Sequence, residues 1–82
     1  MNIIITLKDG SEHSLQILEL TECGIYKNTF FIGSRKKGRI EFPIDTLSSF
    51  RVEASKGIKR AWEGDQCSIL NPAIIILSQF LP

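Results

Sequence analysis

No stretch of this chain stays apolar for more than five residues, the longest being Ala73 to Leu77, whereas a membrane span needs about 20. That excludes a transmembrane helix. Cysteine is scarce: Cys23 and Cys67 form no CxxC and no metal-ligand spacing, and two cysteines cannot staple a disulfide-dense scaffold. Both are expected as free thiols in a reducing compartment. The start, from Met1 to Asp9, carries no basic leader, and its apolar run is broken too soon for a signal-peptide core. The expected location is the cytoplasm. His13 is the sole histidine, and neither Glu12, Glu22 nor Cys23 stands at a metal-binding spacing from it, so it is expected on the surface. There is no glycine-rich phosphate loop and no nucleophile in a known motif. Glu19/Glu22 and Glu63/Asp65 are carboxylate pairs whose spacing alone does not set an acid and a base across a substrate. No catalytic residue, metal or cofactor is expected.

What is present is ordinary for a globular protein: 43% hydrophobic and 23% charged residues over 82 positions, enough for a single domain, 1–82, with one modest core. The net charge of +1 conceals an uneven distribution. Residues 35–60 hold eight cations against three acids, a surplus of +5, and each flank carries −2. A positive centre between negative flanks can orient an anionic partner.

Along the chain, Ile3, Ile5 and Leu7 alternate with polar residues and predict a strand. Ile4 breaks the alternation and predicts that the second face is covered as well. Asp9-Gly10 is a hairpin turn. Leu15, Ile17, Leu18 and Leu20 shift face within one run, which a β-bulge permits. Thr21-Glu22-Cys23-Gly24 reads as the next turn, and Ile25-Tyr26 with Phe30-Phe31-Ile32 as a third strand. Pro43 ends ladder donation, Asp45 is placed to cap one helical turn near Asp45–Ser49, and Phe50 and Val52 begin a new strand. The expected core comprises Ile3, Ile5, Leu7, Leu15, Ile17, Leu20, Ile25, Ile32, Ile40, Phe42, Leu47, Phe50, Val52 and Ile75.

After Gly57 two short strands, 58–62 and 67–70, are expected to join through Glu63-Gly64-Asp65. Asn71-Pro72 reads either as a helix start or as a turn into a last strand. Three consecutive isoleucines favour the strand, because β-branched side chains lose rotamer freedom in a helix. Such a tail would be apolar on both faces, and hence buried in its own sheet or against another subunit.

Up to Glu53 this order resembles the layout of small SH3-like or Sm-like barrels over about two-thirds of the chain. It departs from the Sm-like pattern in lacking an N-terminal helix and in having Phe50-Arg51-Val52 where an Arg-Gly pair is usual, so no functional residue is carried over. The fold class expected is mainly β: a small SH3-like or Sm-like barrel, or a strongly bent antiparallel sheet, with one short helical turn.

The organising element is the hairpin from Thr29 to Phe42, whose tip carries Arg35, Lys36, Lys37 and Arg39 between Gly33 and Gly38. As a cationic finger it would contact phosphates, with Lys59 and Arg60 (and Lys56) extending it if the two loops converge and Tyr26, Phe30 or Phe31 offering stacking surfaces. As a solvated loop it would only discourage edge pairing. Trp62, Ile74, Ile76 and Phe80 are the candidate protein-interface residues. Two functions follow: a non-catalytic protein-binding module (an adaptor, an inhibitor or immunity-type protein, or a subunit of a small assembly, bound to a partner or to itself), and alternatively a nucleic-acid-binding barrel using the basic hairpin.

Overall fold

The computed structural model describes residues 1–54, 57 and 59–81, with the side chains of 66 and 67 left aside. Among the described residues, seven strands and one α-helix follow in order: β1 (Asn2–Leu7), β2 (Glu12–Gln16), β3 (Leu20–Tyr26), β4 (Thr29–Ser34), β5 (Gly38–Pro43), β6 (Leu47–Glu53), β7 (Lys59–Glu63) and α1 (Gln66–Ser78). They form two antiparallel sheets, β2-β1-β6-β7 and β3-β4-β5. Among the described residues the ladders do not close into a ring. β2 and β5 meet through side chains instead, with the His13 and Phe42 rings 5.0 Å apart edge to face. α1 packs against β6, β7 and β3 and so bridges the two sheets on the other side.

Local chemistry accounts for the turns. At Asp9-Gly10 the glycine has φ +90°, and Ser11 donates through its backbone N–H (2.8 Å) and its hydroxyl (2.6 Å) to Asp9 Oδ1. Those bonds, the hydroxyl's above all, hold the Asp9 carboxyl below its ordinary value. The next reversal falls at Lys27-Asn28, with φ of +48° and +60°, the left-handed pair of a two-residue hairpin. The expected turn at Thr21–Gly24 is therefore corrected: these residues lie inside β3. Gly24 serves a different purpose, since a Cβ there would come within 2.8 Å of the Phe31 ring that covers it from the neighbouring strand.

Two one-turn 3-10 segments carry the chain between sheets, Ile17–Glu19 and Ile44–Thr46. The first replaces the expected bulge. In a three-residue turn positions i and i+3 align, so Ile17 and Leu20 both point inward while Leu18 is 83% exposed. The second is shorter and earlier than the turn expected near Asp45–Ser49, because Leu47–Ser49 already pair in β6; Asp45 sits within it rather than capping it, and Thr46 Oγ1 donates to the Pro43 carbonyl at 2.6 Å.

The core lies between the sheets and α1, with Ile3, Ile5, Phe30, Ile32, Phe50 and Leu77 at its centre. Ile25 and Ile75 are exposed, contrary to expectation, and Leu7 and Ile40 pack at the margin. Ile4 is only half-buried: it stands in register between Ser14 and Arg51, whose guanidinium reaches Glu12 at 2.6 Å. Flanking side chains thus partly shield the second face of β1.

The C-terminal segment is a helix, not a strand, and residues 67–70 belong to it rather than to a second hairpin. Asp65 caps it, Oδ1 accepting from the Ser68 N–H at 2.8 Å. Ile69, Leu70, Ala73 and Leu77 are buried at helical spacing. Packing of this stripe outweighs the poor propensity of the isoleucines and the loss of the Pro72 N–H. Lys56 and Ile58 lie outside the described residues.

Candidate interaction surfaces

The hairpin tip is built by Ser34, whose hydroxyl accepts from the N–H groups of Lys36 (3.3 Å) and Lys37 (3.2 Å) before Gly38 turns the chain at φ +76°. Three of its four cations, Lys36, Lys37 and Arg39, are engaged with their own chain. Lys36 Nζ lies 3.5 Å from Glu19, and Lys37 Nζ donates to the Ser14 carbonyl at 2.9 Å. Arg39 Nε stands between Glu41 (3.5 Å) and Glu22 (3.8 Å). Arg35 is exposed, and among the described residues its side chain meets no carboxylate. Glu19 and Glu22 come from the acidic N-terminal flank, so folding lays that flank against the basic centre. Exposed pairs of this kind add little stability, but they reduce the positive potential that a phosphate backbone would meet.

The two basic groups do not converge along the sheet. Lys37 reaches β2 at one edge of the four-stranded sheet, and Lys59 and Arg60 sit on β7 at the other. Three strand spacings, roughly 14 Å, separate these edges.

A different surface is assembled on the outer face of β3-β4-β5. The register sets Gly24 beside Phe31 and Phe31 beside Glu41, and likewise Glu22, Gly33 and Arg39 in one row. Alternation sends Phe30 inward, 1% exposed, and leaves Phe31 half-buried on the outside. The Arg39 guanidinium lies 3.9 Å from the Phe31 ring centre, and Lys27 Nζ lies 5.4 Å from that of Tyr26, itself 63% exposed. Tyr26, Lys27, Thr29, Phe31, Arg39 and Glu41 line a shallow cleft of about 310 Å³. Arg39 thus belongs to this face as much as to the tip. The signal for it in the sequence is the period-two row Thr29, Phe31, Gly33 against Phe30, Ile32, Ser34.

The remaining candidates are dispersed. Trp62 is half-buried with its ring 5.6 Å from that of Phe50, a core aromatic at the sheet's end. Ile74 and Ile76 pack at the core margin, and Phe80 is partly exposed just beyond α1. Cys23 is a free thiol, and burial pushes its pKa above the ordinary value. Among the described residues no three His, Cys, Asp or Glu side chains are grouped to hold a metal ion, and no helix is long and apolar enough to cross a membrane. Compared with known proteins, the chain matches no family model, no curated sequence and no solved structure, so its function has to be read from the chemistry of these surfaces.

Proposed function

We propose that the chain is a non-catalytic protein-binding module of the cytoplasm, a small open SH3-like barrel serving as an adaptor, an inhibitor or immunity-type protein, or a subunit of a small assembly, and that it engages its partner through the outer face of β3-β4-β5. The observation that carries this reading is the meeting of Tyr26, Phe31 and Arg39 on one solvent-facing cleft. Tyr and Arg are the side chains that, with Trp, dominate the energetics of protein interfaces, and aromatics in general are enriched there. Arg39 is held in place by Phe31, Glu22 and Glu41 before any partner arrives, so less rotamer entropy remains to be lost on binding. Phe31 itself is seated over Gly24, where a Cβ would come within 2.8 Å of its ring.

The alternative, nucleic-acid binding, draws support from the same aromatics as stacking surfaces and from Arg35. It is the weaker reading, because Lys36, Lys37 and Arg39 would have to exchange partners within the chain for phosphates.

Selection of ligands from a displayed peptide library tests the first reading. Bound ligands should shift the backbone amide resonances of Tyr26, Phe31 and Arg39, and Tyr26→Ala or Phe31→Ala should weaken them about tenfold or more, a loss of about 1.4 kcal/mol. A selection that yields nothing, or ligands whose shifts fall elsewhere, would refute it.

A further inference from the structure

The four-stranded sheet ends at β7, and that edge suits a second copy of the same chain. Of the sheet edges, β2 and β5 are occupied with each other through His13, Phe42 and the Lys37–Ser14 bond. On β7 the side chains of Lys59, Arg60, Ala61 and Glu63 are exposed, while Trp62 turns toward Phe50 and the core. Among the described residues, no backbone hydrogen bond of β7 reaches beyond its ladder with β6. An edge strand with open donors and acceptors pairs with another strand unless something prevents it, and lone charges are the usual deterrent. Here the charges are arranged so that one register turns them from a deterrent into a match.

A two-fold axis through the sheet edge pairs β7 with itself antiparallel, and residues directly opposite must share a face. Centred on Arg60, the pairing sets one guanidinium against another. Centred on Trp62, it sets Glu63 against alanine. Centred on Ala61, it sets Lys59 against the second copy's Glu63 and Arg60 against the second copy's Trp62, each twice, with two small side chains at the axis. Opposite charges directly across a ladder attract and like charges repel, and a guanidinium beside an indole gains from the ring's negative face.

We propose that two copies join β7 to β7 about Ala61, extending the four-stranded sheet into one continuous antiparallel sheet. This goes beyond the protein-binding role and does not depend on it, because the edge belongs to the other sheet from the Tyr26–Phe31–Arg39 face.

Sedimentation of the full chain from micromolar to millimolar concentration at low salt tests this. The wild type should dimerise and should do so less as salt screens the charge pairs. Lys59→Glu and Glu63→Lys, each checked by circular dichroism for a native fold, should separately weaken the dimer by about tenfold or more, since each sets like charges across both pairs. An equimolar mixture of the two variants should form a heterodimer tighter than either variant alone, because all four charges then face opposites. The double variant should recover the wild-type association. A wild type that stays monomeric throughout, single variants that associate as well as it does, or a mixture that shows no preferred heterodimer would overturn the proposal, and none of these would touch the peptide-binding face.

Discussion

Leu77→Asp should unfold the protein at room temperature, while Ile75→Asp should leave it folded with a melting transition close to that of the wild type. Leu77, on the inner face of α1, is 0% exposed, and Ile75 on the same helix is 61% exposed. Loss of a buried leucine side chain alone costs about 2–5 kcal/mol, and an unpaired buried carboxylate adds a further penalty, against a total stability of about 5–15 kcal/mol for a small domain. The pair of substitutions discriminates sharply between secondary structures. Positions two apart share a face of a strand but lie about 200° apart around a helix. Urea unfolding followed by far-ultraviolet circular dichroism reads the outcome, and comparable destabilisation by both substitutions would mean that the tail is extended.

The second large effect falls on neighbouring phenylalanines. Phe30→Ala should cost about 3–5 kcal/mol, as truncation of a buried aromatic does, because Phe30 is 1% exposed and its ring stacks 6.4 Å from that of Phe42. Phe31→Ala should cost only about 0.2–1 kcal/mol, the worth of a cross-strand pair, since it uncovers Gly24 and frees Arg39 without opening the core. The midpoint of urea unfolding should fall far for the first and little for the second, with the slope unchanged in both. This contrast matters for function: only if Phe31 is dispensable for folding is it available to a partner.

Where signals are local, the sequence is legible. The alternation of Ile3, Ile5 and Leu7, the Asp9-Gly10 turn, the hairpin through Gly38, the stop at Pro43 and the strand around Phe50 and Val52 all stand as read. The Lys27-Asn28 turn was hidden because a lysine rarely adopts positive φ, and Gly24, a turn former by type, is instead a gap filled by Phe31. The final helix was hidden because its isoleucines favour a strand and only the spacing of Ile69, Leu70, Ala73 and Leu77 against the sheets decides otherwise. The tip cations are visible in the sequence as charges. Their partners Glu19, Glu22 and the Ser14 carbonyl are not, because they are brought in by the corner at Ile17–Glu19 and by side-chain contact across the gap between β5 and β2. Nor does the chain order show that Lys59 and Arg60 lie on the edge away from Lys37, since that depends on the non-consecutive pairing of β1 with β6.

We propose that recognition belongs to the aromatic face rather than to the basic hairpin, where Lys36 and Arg39 face carboxylates and Lys37 a carbonyl of their own chain. Fluorescence anisotropy of short single- and double-stranded DNA and RNA, titrated with the wild type and with the Arg35/Lys36/Lys37 triple alanine variant over a range of salt, tests it most directly. No tight binding at low salt, and no difference between the two proteins, is the expected result. Tight binding to the wild type that falls with a log–log salt slope of roughly −3.6, the value for four phosphate contacts on duplex DNA, and disappears in the variant would contradict it.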